Sequence, residues 1–405
     1  MNAIFPRPNS SIRAAASALL ISLCGALSGC LFPWDGNEDC SSSSSSSTAA
    51  TSREQPQNFV GPACVEPLLP TMEPPTTASN ITPARLSAGS GHSIVLLDDG
   101  QLRAWGDSQP GGGVPVLPAT PKAVSVTSGI ASRTDWLVTT GTVLLADGTV
   151  FAWSRDTPSG DVVTGWGKMR QVLSCGGLGG ALSHALADNG RVWRRVTLQP
   201  EPGAIDVATL DLARNEESAP CTPLLILGDG SISVVSNSGV TRFTPGLPPM
   251  LRARCDDEPQ PGLQRYCIGL SQAGHVWTWG TNAHGQLGDG TTVARSTPQR
   301  VAALEQVVAV GTVPGQAYAL TADGQLFSWG ATRWLGRDTT ETPASRPGRV
   351  DGIPAVREIA TGDHVLFRAA DGGVWAWGPN ARGELGTGDR ADRTRPTRVP
   401  GVTLN

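Results

Sequence analysis

The stretch Asp371-Gly372-Gly373-Val374-Trp375-Ala376-Trp377-Gly378 decides the fold of this chain. Its Asp-Gly pair tolerates the positive φ of a type I′ turn, which makes it a strong hairpin signal. A short apolar strand follows the turn, and then the glycine-rich loop Asn380-Ala381-Arg382-Gly383-Glu384-Leu385-Gly386. Variants of this pattern recur along the chain, so the sequence predicts a protein built from repeated hairpins.

Seven turns of this kind divide the later part of the chain into units that we number repeats 1 to 7. They recur at intervals of roughly 40 to 50 residues, the range of four-stranded propeller blades. The 49 glycines and 32 prolines favour many short strands and turns. The turn pairs are Asp99-Gly100, Asp147-Gly148, Asn189-Gly190, Asp229-Gly230, Ala273-Gly274, Asp323-Gly324 and Asp371-Gly372.

The strand after each turn is apolar on both faces. A strand of this kind is buried on both faces, as blades stacked around a propeller axis require. We therefore interpret the repeated tryptophans as core residues and not as a stacking surface for a ligand. The second residue after the turn glycine is Leu102, Val150, Val192, Ile232, Val276, Leu326 or Val374, and the fifth is Trp105, Trp153, Trp279, Trp329 or Trp377 in five repeats.

The pattern resembles the regulator of chromosome condensation (RCC-type) repeat, in which a strand ending in Trp-Gly precedes an Asn-x-x-Gly-Gln-Leu-Gly loop. Repeat 5 matches with Trp279-Gly280, Asn282 and Gly285-Gln286-Leu287-Gly288, and repeat 7 matches with the opening stretch and its loop. Repeats 2, 3 and 4 depart from the pattern. The resemblance implies an all-β fold, a seven-bladed β-propeller of four-stranded blades, over residues 81–405.

The N-terminus predicts export and lipid attachment. Arg7 and Arg13 precede an apolar stretch that is too short to span a membrane. It ends in Leu27-Ser28-Gly29-Cys30, which resembles the lipobox of bacterial lipoproteins. We expect a signal peptide over residues 1–29, a lipidated Cys30, and a location in the bacterial cell envelope at the outer membrane. An ordinary signal peptide with a chance cysteine is the alternative interpretation.

Residues 30–80 are predicted to form a flexible tether. Ser41 to Ser47 is an unbroken serine run, with proline, threonine and serine frequent around it. Such a composition buries too little apolar surface to offset the entropy of ordering. The segment is therefore interpreted as a spacer between the lipid anchor and the propeller.

Six cysteines remain after Cys24 in the signal peptide and Cys30. An even number in an oxidising compartment permits three disulfides. Sequence separation favours Cys255–Cys267 and Cys40–Cys64, which leaves Cys175–Cys221. The spacings do not match a metal site, so neither a metal nor another cofactor is expected.

Candidate binding residues lie where the repeat pattern is interrupted. The segment between Cys255 and Cys267 is long and charged, and two tryptophans of repeat 2 fall outside the repeat register. Extended loops on one face of a repeat protein often form its binding surface, although neutral drift in loop length explains them equally well and the two tryptophans could be partly buried. The candidates are Trp136, Trp166, Asp256, Asp257, Glu258 and Arg265.

The expected function is that of a monomeric, non-enzymatic module that binds a protein or a glycan through the long loops of repeats 2 to 5. The net charge of -4 gives no indication of nucleic acid binding, and membrane attachment is expected through the lipid alone. A propeller that inhibits an extracellular or periplasmic enzyme is the alternative, by resemblance to secreted β-lactamase inhibitors built on this repeat. A polysaccharide lyase or hydrolase is a third interpretation, but the sequence contains no catalytic constellation to support it.

Overall fold

The computed structural model describes residues 84–89, 91–106, 117, 121–128, 141–153, 159–175, 182–194, 199–200, 207–213, 222–236, 239–243, 246–256 and 266–405. All of them belong to the compact unit Leu69–Asn405. They form 27 strands and one 3₁₀ helix, Thr332–Trp334. The prediction of an all-β propeller with four-stranded blades is confirmed.

The strands of the first four repeats follow the predicted order. Repeat 1 contains β1 (Leu86–Ala88), β2 (His92–Leu96) and β3 (Leu102–Gly106); repeat 2 contains β4 (Ala123–Ser128), β5 (Gly141–Leu145), β6 (Val150–Trp153) and β7 (Asp161–Val163); repeat 3 contains β8 (Met169–Cys175), β9 (Leu182–Ala187), β10 (Val192–Arg194) and β11 (Gln199–Pro200); and repeat 4 contains β12 (Val207–Ala213), β13 (Thr222–Leu227), β14 (Ile232–Ser236) and β15 (Gly239–Phe243).

The last three repeats are described without a gap after Tyr266. Repeat 5 contains β16 (Met250–Asp256), β17 (Tyr266–Ser271), β18 (Val276–Gly280) and β19 (Arg295–Arg300); repeat 6 contains β20 (Val307–Val313), β21 (Gln316–Thr321), β22 (Leu326–Gly330) and β23 (Ala344–Arg349); and repeat 7 contains β24 (Val356–Thr361), β25 (Val365–Ala369), β26 (Gly373–Gly378) and β27 (Arg393–Thr403).

Each repeat is an antiparallel meander in which the predicted turn joins the second strand to the third. In repeat 7, for example, Arg368 pairs with Val374 on either side of the turn, and Gly372 has a φ of 78°. The Asp371 carboxylate accepts the Gly373 N–H at 2.9 Å. The turn chemistry therefore sets the register of the hairpin, as the sequence indicated.

The strands are grouped in six sheets, and one of these has eight strands. That sheet contains the meanders of repeats 4 and 5, joined through a single parallel pair between Ala213 and Cys255. The described strands therefore form six sheets, and the expected count of seven blades is not confirmed, because these two meanders share one sheet.

The first strand of each repeat contacts the first strand of the next, and β1 contacts β24. The first strands are therefore the inner strands of a closed ring. Apolar residues fill the space between neighbouring repeats, and the cluster between repeats 7 and 1 includes Leu86, Val95, Val374 and Leu404. Tryptophans at the predicted core position are almost completely buried in repeats 2, 5, 6 and 7, whereas Trp105 of repeat 1 is partly buried.

The last residues of the chain complete the contact between repeats 7 and 1. The carbonyl of Gly324 accepts the N–H of Val356, which begins the inner strand of the next repeat, at 2.9 Å. The equivalent carbonyl of Gly372 accepts the Leu404 N–H at 2.8 Å. Leu404 thus bonds to the turn glycine of repeat 7 as Val356 bonds to the turn glycine of repeat 6.

Candidate functional site

The propeller has two ends with different connections. The Asp-Gly and Asn-Gly turns lie at one end, which we call the turn face. The connections after the first and third strands of each repeat lie at the other end, which we call the loop face. These connections touch each other: Ala331, after β22, donates its N–H to the carbonyl of Gly315, between β20 and β21, at 2.9 Å.

A buried asparagine organises the loop after the tryptophan strand in repeats 5 and 7. Asn282 is 1% exposed and accepts the Leu287 N–H at 2.9 Å, while its amide donates to the carbonyls of Thr291 and Val293 at 3.0 and 3.1 Å. Asn380 of repeat 7 makes the equivalent bonds to Leu385, Asp389 and Ala391, at 2.9, 3.0 and 3.0 Å. These side chains replace backbone pairing that the loop itself cannot provide.

An aspartate and an arginine close the outer part of each of these loops. Asp289 pairs with Arg295 in repeat 5, and Asp389 pairs with Arg393 at 2.6 Å in repeat 7. Hydrogen bonding from Arg393 is the main reason that the pKa of Asp389 lies below its ordinary value. Burial raises the pKa of Asp289, but hydrogen bonds from Thr291 and Arg295 outweigh this effect and lower the pKa overall.

The core tryptophan of one repeat donates a hydrogen bond to the loop of the repeat before it. Trp329 Nε1 donates to the carbonyl of Gln286 at 2.8 Å, and Trp377 Nε1 donates to the carbonyl of Trp334 at 2.8 Å. Trp105 of repeat 1 donates in the same way to Glu384 of repeat 7, at 2.8 Å. We call these three contacts the tryptophan latches.

Glycine in each loop allows this approach of the indole. A Cβ atom at Gly288 would lie 2.8 Å from Trp329 Nε1, and one at Gly386 would lie 2.6 Å from Trp105 Nε1. Both glycines also have a positive φ, which residues with a side chain rarely adopt. The Leu-Gly part of the loop motif is therefore required for contact between repeats.

The latch between repeats 7 and 1 carries additional polar contacts. Ser93 Oγ donates to the Glu384 carbonyl at 2.7 Å and lies 2.6 Å from Nε2 of the buried His364. Because the hydroxyl has one proton, His364 is the donor in the second bond. Glu358 accepts the backbone N–H groups of Arg85 and Leu86 at 2.7 and 3.0 Å. His364 thus joins repeats 7 and 1.

Several predicted site residues lie outside the described part of the chain. These are Cys30, Cys40, Cys64, Trp136, Cys221, Asp257, Glu258 and Arg265. Asp256 is the last residue of β16, and Cys175 is the last residue of β8. The structure therefore does not bring the proposed binding residues together, and their common location on the loop face remains a prediction.

Cys255 and Cys267 face each other on β16 and β17. Their Cα atoms are 4.0 Å apart, and their sulfur atoms are joined in a disulfide. Both side chains are buried beside Trp279 and Met250. The bond lies at the strand ends from which residues 257–265 depart.

The prediction that Trp166 is a binding-loop residue is wrong. Its side chain is 3% exposed and packs with Leu144, Val150 and Met169 in the core between repeats 2 and 3. The segment that carries it is not a free loop extension, because Asp161–Val163 forms the outer strand β7 of repeat 2. The sequence signal that could have revealed this strand is the pair Val162-Val163, which has a high strand propensity.

The described residues contain no group of three or more histidine, cysteine, aspartate or glutamate side chains placed to hold a metal ion. No helix in the described ranges has the length and apolar character needed to cross a bilayer. The polar groups named above on the described loop face bond mainly to one another. They therefore make the loops rigid and fix their shape.

Comparison with protein families identifies the repeat. A model described as Regulator of chromosome condensation (RCC1) repeat matches residues 273–312 and 371–404, and a second model of the same description matches residues 84–110. These segments contain the latch-forming loops of repeats 5 and 7 and the hairpin of repeat 1. The chain therefore carries RCC1-type repeats.

Curated relatives match parts of the chain. Ultraviolet-B receptor UVR8 of Arabidopsis thaliana is 29% identical over 216 residues, which is 47% of this chain and 49% of the relative. Mouse Regulator of chromosome condensation is 32% identical over 172 residues, 40% of each protein. The chain thus matches less than half the length of these relatives.

Solved structures with similar architecture include human WBSCR16 and yeast RCC1 (Prp20) bound to Kap60. The first has a TM-score of 0.47 and 17% identity, and covers 79% of this chain and 82% of that chain. The second has a TM-score of 0.45 and 16% identity, and covers 78% of this chain and 74% of that chain.

Proposed function

We propose that this chain is a seven-bladed, non-enzymatic binding module of the bacterial cell envelope, which engages a protein or a glycan through the loop face of repeats 2 to 5. The observation that supports this proposal is the uneven length of the connections between the first and second strands. They span only residues 89–91, 314–315 and 362–364 in repeats 1, 6 and 7, but 129–140, 176–181, 214–221 and 257–265 in repeats 2 to 5.

The long connections occupy consecutive repeats and depart from strand ends at the same face. The strands beneath them are held in the propeller ring, and binding residues are commonly found on loops that a rigid scaffold positions. Curated relatives of the repeats bear the names of a receptor and a regulator, which is in keeping with a binding role.

A photo-crosslinking experiment tests the loop face. A photoreactive amino acid at Gln260, within the segment 257–265, should give adducts in envelope extracts of the source organism. The matched control carries the same group at Gln299, which is exposed on the outer strand of the same repeat. Adducts of equal pattern at both positions, or none at Gln260, would contradict binding through this loop.

The proposed anchor is tested by cell fractionation. Cys30→Ala should move the protein from the membrane fraction to the soluble fraction, because two or three acyl chains give stable attachment and none would remain. Cys24→Ala is the control, since that residue leaves with the predicted signal peptide and its loss should not alter fractionation. Membrane retention of Cys30→Ala would exclude lipidation at this position.

A further inference from the structure

The inner strands share an irregularity near the turn face. In repeats 2 to 7 the pairing register between the first and second strands shifts at the same place, leaving one unpaired residue on the inner strand. Such β-bulges redirect side chains at the rims of closed sheets. The bulge residues are Val124, Arg170, Ala208, Leu251, Val308 and Arg357.

Backbone hydrogen bonds hold these bulges at the turn face. In repeats 3, 5, 6 and 7 the residue before the bulge donates its N–H to the turn glycine of the preceding repeat, for example Met250 to Gly230 at 2.8 Å and Val307 to Gly274 at 3.0 Å. Because the bulges belong to inner strands, which contact one another around the ring, the backbone of the bulges lies around the axis at this end. The bulge itself is common to six repeats and belongs to the fold, so any specific role depends on the side chains.

Three successive bulges combine apolar surface with a positive charge. Leu251 is 37% exposed and Val308 is 51% exposed, and they are two of the four large hydrophobic side chains exposed among the described residues. Arg357, the next bulge residue, is exposed and makes neither an ion pair nor a hydrogen bond within the described ranges. We call Leu251, Val308 and Arg357 the axial arc.

Two other exposed arginines at the same end are already paired. Arg349 lies 3.2 Å from Asp351, and Arg398 lies 4.0 Å from Asp371. Arg357 therefore differs from them in being available to an external anion. The arc also lies inside a rim of turn carboxylates that includes Asp323 and Asp371, and these would repel a strongly acidic ligand.

From this arrangement we propose that the axial arc is a docking surface for a protein segment that presents an apolar side chain beside a single carboxylate. The apolar side chain covers Leu251 and Val308, and the carboxylate pairs with Arg357. Charge complementarity selects this occupant, because a neutral apolar segment would leave Arg357 unpaired and a polyanion would meet the acidic rim. The surface is at the opposite end from the loop face and does not depend on its proposed function.

A peptide array with the full-length protein tests this proposal. The probes are peptides of one Gly-Ser framework that carry a central Leu-Asp, Leu-Asn, Leu-Lys or Ser-Asp pair. The wild type should favour Leu-Asp over Leu-Lys by about two- to fivefold, the range expected for one exposed charge pair, and Ser-Asp should bind more weakly than Leu-Asp.

Charge reversal provides the decisive variant. Arg357→Glu should invert the preference, so that Leu-Lys exceeds Leu-Asp, and Val308→Ser should weaken all peptides that contain leucine. Arg349→Glu is the matched control on an outer strand and should keep the wild-type order. An absence of Leu-Asp preference in the wild type, or an unchanged order in Arg357→Glu with the fold retained by circular dichroism, would overturn the proposal.

Discussion

Trp329 and Trp153 occupy equivalent positions in repeats 6 and 2, and both are fully buried. The indole N–H of Trp329 bonds to the Gln286 carbonyl of repeat 5. The indole N–H of Trp153 has no acceptor among the described residues. Repeat 5, which precedes repeat 6, has the Asn-x-x-Gly-Gln-Leu-Gly loop, whereas the sequence of repeat 1 departs from this motif after Trp105-Gly106, in residues outside the described ranges.

This contrast shows that burial of the tryptophan and formation of the latch hydrogen bond have different sequence requirements. Burial of the tryptophan requires only the alternating strand, which repeats 2 and 6 share. The latch requires a loop from the neighbouring repeat, and such loops are found in repeats 5, 6 and 7 of the described chain. Repeats 5, 6, 7 and 1 therefore form a polar, interlocked arc, whereas the strands of repeats 2 to 5 support the longer first connections, so that repeat 5 has both features.

Removal of residues 394–405 should destabilise the protein more than any other change proposed here, because it opens the interlocked arc between repeats 7 and 1. Val399, Val402 and Leu404 are at most 3% exposed, and each buried aliphatic side chain stabilises the fold by roughly 1.5 to 3 kcal/mol. We expect the melting temperature to fall by about 10 °C or more.

Deletion of Asn405 alone is the control for that truncation. It removes exposed bonds to Arg85 and Asp98 but leaves Leu404 in place, so a small change is expected in thermal unfolding. Similar melting temperatures for the long deletion and the wild type would refute closure of the ring through these residues.

The tryptophan pair itself allows a sharper test of moderate size. Trp329→Phe and Trp153→Phe remove the same ring volume, but among the described residues only Trp329 donates a latch hydrogen bond. Trp329→Phe should therefore destabilise the protein by about 1 kcal/mol more than Trp153→Phe in urea unfolding. Equal losses would show that the latch contributes nothing beyond packing.

Glu384 in the loop of repeat 7 should have a smaller effect, which is on the pH dependence of stability. Gln286 in repeat 5 and Glu384 in repeat 7 accept equivalent backbone N–H groups, at 2.9 and 2.8 Å. Burial raises the pKa of Glu384 above its ordinary value of 4.5. The folded chain thus keeps this proton to a higher pH than the unfolded chain, so this group lowers stability as the pH rises above about 4.5.

Glu384→Gln should remove that part of the pH dependence and unfold at higher urea concentration than the wild type at neutral pH. Asp389→Asn is a control of opposite sign, because pairing with Arg393 lowers the pKa of Asp389 and its contribution is lost as the pH falls. Urea midpoints measured from about pH 3 to 7 would distinguish the two, because the contribution of Asp389 is lost mainly below its ordinary pKa of 3.8. Identical slopes for Glu384→Gln and the wild type would contradict the assignment.

The predictions from sequence succeeded where the determining contacts are local. The hairpin turns form as expected because the Asp side chain bonds to an N–H two residues away, as Asp371 does with Gly373. The prediction failed for Trp166, whose position outside the repeat register suggested exposure. Its burial depends on β7 and on Met169 of the next repeat, which the pattern of repeat 2 alone does not contain.

The sequence by itself determined the repeated hairpins, the strands buried on both faces and the loop organised by Asn282 or Asn380, since these depend on residues close together in the chain. Only the tertiary structure decided which carbonyl receives each tryptophan N–H, how Leu404 and Glu358 join repeats 7 and 1, and which bulge residues surround the axis. Trp105 and Glu384 are 279 positions apart. A hydrogen bond acts only over a few ångströms, and residues so far apart in the chain are brought within that distance only when the ring closes.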